Sequence, residues 1–225
     1  MQRSRGEDQR IFIVLVLLIL TVASIPSMYA ILITPRGAMW SGLIARNTND
    51  INGYLSIIEE VRSDGLLAHN LMTAEPHPAF QLRPFHAALG IIGKIFPELT
   101  PVTLLEIGRI ITTTFFLIVL LCVIFRFFQS TKNRILAFFI TIFSSGLGWL
   151  HLINDPPDLR YSELSTLCSL ISAPLYQFSL GCVLLIILSL SIAVQSETRK
   201  IRFKQSMIAA VSAVLLGLER PFSLV

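Results

Sequence analysis

Charge is scarce in this sequence, since Asp, Glu, Lys and Arg together make up 14% of its 225 residues. Soluble domains carry about 25%. Hydrophobic residues account for 53%, and the mean hydropathy is +0.71. This composition excludes a soluble domain and predicts a membrane protein. The formal net charge of +4 predicts no nucleic-acid partner, because the basic residues form no single patch.

Cysteine and the familiar soluble motifs are also sparse or absent. The three cysteines, Cys122, Cys168 and Cys182, lie within or beside apolar runs and show no C-x-x-C or Cys/His spacing. We expect small core or lipid-facing residues there, without a disulfide framework or a zinc site. The chain has no P-loop, Rossmann glycine pattern, G-x-S-x-G or H-E-x-x-H, which argues against a soluble-type nucleotide enzyme.

Long apolar runs dominate the chain, and about 20 residues suffice for a helix to cross a bilayer. They predict membrane spans at residues 11–30, 103–125, 135–153, 171–194 and 206–225. The fold class expected is all-α: a polytopic transmembrane helical bundle in one membrane domain, with a large extracytoplasmic first loop that contains interfacial helices. The last run carries Glu219 and Arg220 and reaches Val225 without a polar tail, so we expect the N-terminal portion of a longer protein.

The start of the chain leaves an alternative open, because a basic segment followed by apolar residues is also typical of a secretory signal peptide. The apolar run is longer than the usual ~7–15 residues, so we favour a membrane span. Basic residues then orient the bundle, because they cluster before span one and after spans two and four. They are Arg3, Arg5, Arg10, Arg126, Lys132, Arg134, Arg199, Lys200, Arg202 and Lys204. The positive-inside rule predicts a multi-pass protein of the cell (inner) membrane with a cytoplasmic N-terminus.

The outer loop, about residues 35–101, is the long polar segment of the chain. Apolar residues at helical spacing over 54–61 predict a short amphipathic helix that ends at Asp64-Gly65. Residues 84–96 are apolar, with Pro84 acceptable in a first turn. That stretch is too short to cross unaided and predicts an interfacial or re-entrant helix.

Asp50 is the first candidate for chemistry. Asn49 and Asp50 precede the amphipathic helix, so they are suited to capping it. The functional interpretation is a general base, since a partly buried carboxylate at the mouth of a membrane cavity can accept a proton from a hydroxyl group.

A second polar group contains Glu75, His69 and His77 and is followed by Arg83 and His86. Pro76 and Pro78 indicate irregular chain and favour a solvated loop. The alternative is a site for a phosphate group or a divalent metal, although the spacing is not specific for metal ligands. Metal ligands and cofactors therefore stay unassigned.

Two further groups lie later in the chain. Glu219 and Arg220 fall inside a predicted span, where charged groups usually face a cavity or each other, so either a substrate-binding role or a structural ion pair fits them. The second outer loop carries acidic and basic residues that we expect to be mostly solvated: Asp155, Asp158, Arg160 and Glu163.

Several stretches resemble the multi-spanning GT-C superfamily of glycosyltransferases, which use polyprenyl-phosphate sugars. In the first outer loop they are N-D-x-x-x-Y at Asn49–Tyr54, HNLMTAEP at His69–Pro76 and LRPFHAALGIIGKIF from Leu82; GLGWL, SELSTL and LLGLERPF follow later. The resemblance covers the chain as the N-terminal portion of such a transferase. It implies sugar transfer with inversion on the outer face, with Asp50 as the catalytic base.

The same resemblance implies contacts with membrane lipid and with a polyprenyl-phosphate-linked sugar donor. Its phosphate or the acceptor would be bound by residues of the polar groups, namely Glu75, His69, His77, Arg83, Glu219 and Arg220. A rival hypothesis is a non-catalytic membrane protein, such as a transporter, a lipid-translocating component or an assembly partner, in which Glu219 and Arg220 line a path.

Overall fold

The computed structural model describes residues 5–38, 40, 48–70, 73, 75–144, 165–172 and 174–220. Within these ranges the regular structure is helical, apart from an isolated antiparallel bridge between Ala68 and Gln81. The helices are α1 Arg5–Ile33, α2 Thr48–Ser63, α3 Pro84–Ile95, α4 Pro101–Phe127, α5 Thr131–Phe143, α6 Thr166–Ile171, α7 Pro174–Gln195 and α8 Arg199–Glu219. The predicted all-α class is confirmed.

Four of these helices are long and apolar enough to cross a membrane: Arg10–Ile33 within α1, α4, α7 and α8. They correspond to the first, second, fourth and fifth predicted spans. The predicted span 135–153 stays a prediction, because α5 covers 131–143 and residues 145–164, with the charged second loop, lie outside the described residues. Helix α8 begins at Arg199, earlier than the predicted 206, since long basic side chains can reach water from a helix end.

Short polar residues begin the helices that follow tight links. The Thr100 hydroxyl accepts a hydrogen bond from the Thr103 N–H at 3.2 Å, with Pro101 in the first turn of α4. The Ser130 hydroxyl does the same for the Asn133 N–H at the start of α5. Each such cap pairs a backbone donor that the helix itself leaves free.

The core of the bundle lies between α1, α4, α5 and α6. Buried residues from these four helices pack together: Phe12, Ile19, Ala23, Phe116, Leu117, Leu120, Ile124, Phe138, Ile142 and Leu170. At one end of this core the buried Arg109 of α4 pairs with Glu106. Its guanidinium also donates to the carbonyls of Ala23 and Leu170 and to the Ser27 hydroxyl. Arg109 thus joins α1, α4 and α6.

Helices α4 and α7 run in the same direction. Phe115 packs against Phe178, with ring centroids 6.4 Å apart, and Arg126 near the end of α4 bonds Gln195 at the end of α7. Helix α8 runs the opposite way, because the Arg220 guanidinium lies 4.9 Å from the ring of Tyr176 near the start of α7.

The bundle therefore has two distinct ends. The basic end, where α4 and α7 finish and α8 begins, carries seven of the predicted orienting residues: Arg126, Lys132, Arg134, Arg199, Lys200, Arg202 and Lys204. At the opposite end lies a small folded unit that we call the cap, made of α2, α3 and the described residues of the segment 64–83 between them. Which side of the membrane the cap faces stays a prediction.

The cap is held together by close packing of its two helices, and it also rests on α4. Ile51 and Ile58 of α2 pack with Leu89 of α3 and with α4 residues. At Gly90 the helices approach so closely that a Cβ atom would lie 2.7 Å from the Cβ of Val61. The predicted amphipathic helix ending at Asp64 and the short helix starting at Pro84 are both confirmed.

Candidate functional site

The candidate site lies where the first turn of α3 meets the last residue of α8. Glu219 has a side chain with 0% exposure. One of its carboxylate oxygens accepts a hydrogen bond from the Phe85 N–H at 2.9 Å, and the other lies 2.6 Å from Nδ1 of His86. Its backbone carbonyl accepts from Nη1 of Arg83 at 2.7 Å. The carboxylate thus sits at the positive end of the α3 dipole, which favours a negative charge.

His86 completes the pair, and its side chain is also 0% exposed. Its ring stacks on that of Tyr54, with centroids 4.8 Å apart. Because the carboxylate beside Nδ1 favours a proton on that nitrogen, Nε2 is the position left for another partner. In the described part of the chain Nε2 has no hydrogen-bond partner. Buried polar atoms of this kind are rare and call for an explanation.

An apolar cavity of about 590 Å³ lies below this pair, between α3, α4, α7 and α8. Its walls are formed by Phe85, Ile111, Thr112, Phe115, Phe178, Cys182, Leu185, Met207, Ile208, Val211, Ser212 and Leu215. Phe85 belongs to both features, since its N–H binds Glu219 and its ring stacks on Phe178 at 5.6 Å.

The cavity reaches the outer surface of the bundle. Ile111 on α4 is 55% exposed and Val211 on α8 is 52% exposed, although both line the cavity. Both residues lie on helices that are long and apolar enough to span a membrane, so the opening would face the hydrocarbon core if α4 and α8 cross one. A hydrocarbon chain is the ligand that such walls suit, because it buries apolar surface without leaving polar groups unpaired.

Asp50 lies in the first turn of α2, which begins at Thr48. It therefore falls inside the helix, two residues past its first residue. It occupies the register position one turn before Tyr54, the residue that stacks on His86. Its side chain lies outside what the structure describes, and its role as a base stays a prediction.

The predicted group around Glu75 is arranged differently from a metal site. The backbone N–H of His69 donates to the carboxylate of Glu60, and its ring Nδ1 also pairs with that carboxylate. Glu75 is exposed, and its N–H donates to the Thr73 hydroxyl. Within the described ranges, no three His, Cys, Asp or Glu residues are grouped so that they could hold a metal ion. The role of Glu60 was not predicted from the sequence, because its position is typical of an ordinary exposed charge on an amphipathic helix.

His77 has both ring nitrogens next to carbonyl oxygens. Nδ1 is 2.9 Å from the oxygen of Pro78, and Nε2 is 3.1 Å from that of Asn70. Carbonyl oxygens only accept hydrogen bonds, so the ring satisfies both contacts when it carries two protons. The Pro78 carbonyl, then the Asn70 carbonyl, and more weakly the charge of Glu60 therefore raise the pKa of His77 above its usual 6.5.

Of the predicted residues, the structure brings Arg83 and Glu219 together and places Arg220 nearby over Tyr176. His69 and His77 form a separate group in the cap, with ring centroids 5.6 Å apart. Glu219 pairs with His86, which the sequence placed after the Glu75 group but which was not among the predicted site residues. The available signal was a histidine on the apolar helix 84–96, which demands a partner when buried.

A scan of family models, a search of curated proteins and a search of solved structures each find no match for this chain. The resemblance to GT-C glycosyltransferases therefore rests on the sequence stretches that suggested it. The geometry adds two features, the apolar cavity and the buried polar pair at its cap end.

Proposed function

We propose a GT-C-like glycosyltransferase function for this chain, in which a sugar moves from a polyprenyl-phosphate donor to an acceptor at the cap end of the bundle. The observation that carries the proposal is the apolar cavity, because it opens towards lipid and finishes beneath a cap rich in polar groups. A polyprenyl-phosphate sugar has this same division, with a long hydrocarbon chain and a charged head. The chain would occupy the cavity while the head lies at the cap.

The cap end supplies groups suited to the donor head and to the acceptor. The guanidinium groups of Arg83 and Arg220 lie at this end, and arginine binds phosphate oxygens in a charge-assisted manner. Asp50 is proposed as the base that removes the proton from the acceptor hydroxyl. The hydroxyl oxygen then bonds to the anomeric carbon from the face opposite the leaving group, and the polyprenyl phosphate departs with the bonding electrons.

The charge distribution supports an outer location for this chemistry. Exposed basic residues lie at the end of the bundle opposite the cap. By the positive-inside rule that end is cytoplasmic, which puts the N-terminus inside the cell and the cap outside. The rival transport function receives less support, because Glu219 and His86 are buried and line no open path among the described residues.

A transfer assay tests the catalytic assignment. The protein is reconstituted in liposomes with radiolabelled polyprenyl-phosphate hexose or pentose, and glycosylated products are counted. Asp50→Asn is expected to lower transfer by about 10²–10⁴-fold, because it removes the general base, with insertion unchanged. Asp64→Asn, at the exposed other end of α2, is the matched control and retains activity. Normal transfer by Asp50→Asn excludes this role for the aspartate.

The same assay tests the cavity. Val211→Trp places a bulky ring in the wall and is expected to raise the KM for the donor, with the exposed neighbour Val214→Trp as the control that stays outside the lining. Equal donor KM values for the two variants contradict a donor chain in this cavity. Transport of donor across the liposome without any sugar transfer favours the rival function.

A further inference from the structure

Glu219 ends α8, and its contacts link α8 to the cap. We propose that Glu219 and His86 are positioning residues, which fix the first turn of α3 and, through Tyr54, the turn of α2 that carries Asp50. This inference rests on the proposed function for its catalytic consequence. Its structural part, the connection from α8 to α2, is testable without any activity.

Three hydrogen bonds from Arg83 and the first turn of α3 converge on Glu219. Arg83 donates to its carbonyl, the Phe85 N–H donates to one carboxylate oxygen, and His86 pairs with the other. Because the carboxylate and the imidazole are both fully buried, water does not replace a lost partner. Rotation or sliding of α3 on the end of α8 would therefore break several bonds at once.

The ring of His86 also restrains α2, because it stacks on Tyr54 of that helix. It lies nearly parallel to the ring of Tyr54, at 27° and 4.8 Å between centroids. On the same helix the buried Ile51 packs with Leu89 of α3 and with α4 residues. The first turn of α2 is thus held by α3 and α4, and it contains Asp50. A base must stay within a few tenths of an ångström of its working position, so this restraint bears on catalysis.

The unpaired Nε2 of His86 argues for a role beyond stability. A buried polar pair is often no more stabilising than well-packed apolar residues of similar volume. A pair that also leaves a ring nitrogen without a partner is less favourable still. The pair instead orients the His86 ring, since its hydrogen bonds fix the angle of the imidazole against Tyr54.

Amide hydrogen exchange of the full chain in lipid nanodiscs tests the connection. Glu219→Gln and His86→Gln are expected to speed exchange at residues 48–54 and 84–90 by about tenfold or more, as local opening becomes easier. Residues 112–124 in the bundle core keep their protection. Glu197→Gln is the matched control, an exposed carboxylate in the α7–α8 link, and leaves both regions unchanged.

Two exchange results overturn the inference. Unchanged exchange at residues 48–54 in both variants shows that the restraint does not reach α2. Faster exchange throughout 112–124 shows that the pair merely holds the fold.

Transfer kinetics supply the catalytic readout. Each single variant is expected to lower kcat by roughly ten- to a hundredfold with the donor KM unchanged, because a misplaced base slows chemistry without weakening donor binding. The double variant is no slower than the slower single variant, since both residues act through one connection. Additive losses, or losses confined to KM, contradict the proposal. Absence of transfer by the wild-type protein refutes the proposed function, and the exchange result then decides the connection alone.

Discussion

Arg109 and His86 are two buried ionisable residues in the described part of the chain. They differ in whether all of their side-chain nitrogens have hydrogen-bond partners. All three guanidinium nitrogens of Arg109 have partners, including the Glu106 carboxylate at 2.9 and 3.0 Å. His86 bonds Glu219 through Nδ1, whereas its Nε2 has no partner among the described residues. Both residues lie on helices that pack in the bundle or against it. Burial alone therefore does not explain why their hydrogen bonding differs.

The difference supports a structural role for Arg109 and the proposed positioning role for His86. A buried charge with every donor paired contributes to one well-defined arrangement, here the junction of α1, α4 and α6. A buried polar group with an unpaired atom is more costly to the fold and therefore favours a functional explanation. Arg109 would have been an attractive choice from sequence, as a cation inside a span, yet its partners account for it fully.

The largest effect is expected at Arg109. Arg109→Leu leaves Glu106 and three backbone or hydroxyl acceptors without their donor, so we expect a loss of about 3–5 kcal/mol in the free energy of unfolding. Denaturant titration in mixed micelles measures it. Arg202→Leu, at the exposed basic end, is the control and should change that free energy by less than about 0.5 kcal/mol. Equal losses in the two variants would mean that Arg109 does not join the helices.

An intermediate effect is expected from separating the cap helices. Gly90→Ala would put a Cβ 2.7 Å from Val61 Cβ and 2.9 Å from the Ile58 carbonyl oxygen, and rigid helix backbone cannot yield cheaply. We expect a cost of about 1–3 kcal/mol, seen as faster amide exchange in α2 and α3. The region around Arg109 should keep its protection.

Gly53→Ala, within α2, is expected to raise the free energy of unfolding, whereas Gly90→Ala lowers it. A Cβ there meets nothing within 4 Å, so we expect a gain of about 0.4–1 kcal/mol through a less flexible unfolded chain. A loss in Gly53→Ala as large as that in Gly90→Ala would assign the effect to helix sequence rather than to close packing.

The smallest effect is a pH dependence confined to the loop of the cap. Because the Pro78 and Asn70 carbonyls raise the folded pKa of His77, protonation stabilises the loop fully below about pH 6.5, the unfolded value. That contribution is lost as the pH rises through the higher folded pKa. Amide exchange at residues 68–81, corrected with an unfolded peptide of the same sequence, should therefore show weaker protection at alkaline pH.

His77→Gln is the control for this loop, since glutamine does not titrate. It should remove the pH trend and leave the Ala68–Gln81 bridge as the main restraint. An identical trend in the variant would show that His77 is not the source of the pH dependence. Amide exchange around Arg109 should show no such pH dependence in either protein.

Local pattern was enough to predict much of the fold. Long apolar runs correspond to four helices that could span a membrane, and Asp64-Gly65 and Pro84 mark where α2 ends and α3 begins. The start of α8 was less predictable, because Arg199 and its basic neighbours resemble a link and yet are compatible with a helix terminus. Helix-ending signals act over a few residues, and these are the ones that sequence shows directly.

The site was predictable only in part. Glu219 was selected because a carboxylate inside an apolar run needs an explanation, and Arg83 was noted in the cap. Neither the bond from Arg83 to Glu219 nor the pairing of Glu219 with His86 was predictable, since 133 residues separate His86 from Glu219 and no local periodicity encodes such a contact. The cavity likewise depends on how α4, α7 and α8 pack, which composition does not reveal.

The long separation between His86 and Glu219 also imposes an order on biosynthesis. At about 5–20 residues per second, roughly 7 to 27 seconds pass between translation of the imidazole and translation of the carboxylate that pairs with it. During that interval α2 and α3 have already been made, whereas the helix that anchors them has not. The cap is therefore synthesised well before Glu219, one of the last described residues, whose hydrogen bonds attach it to α8.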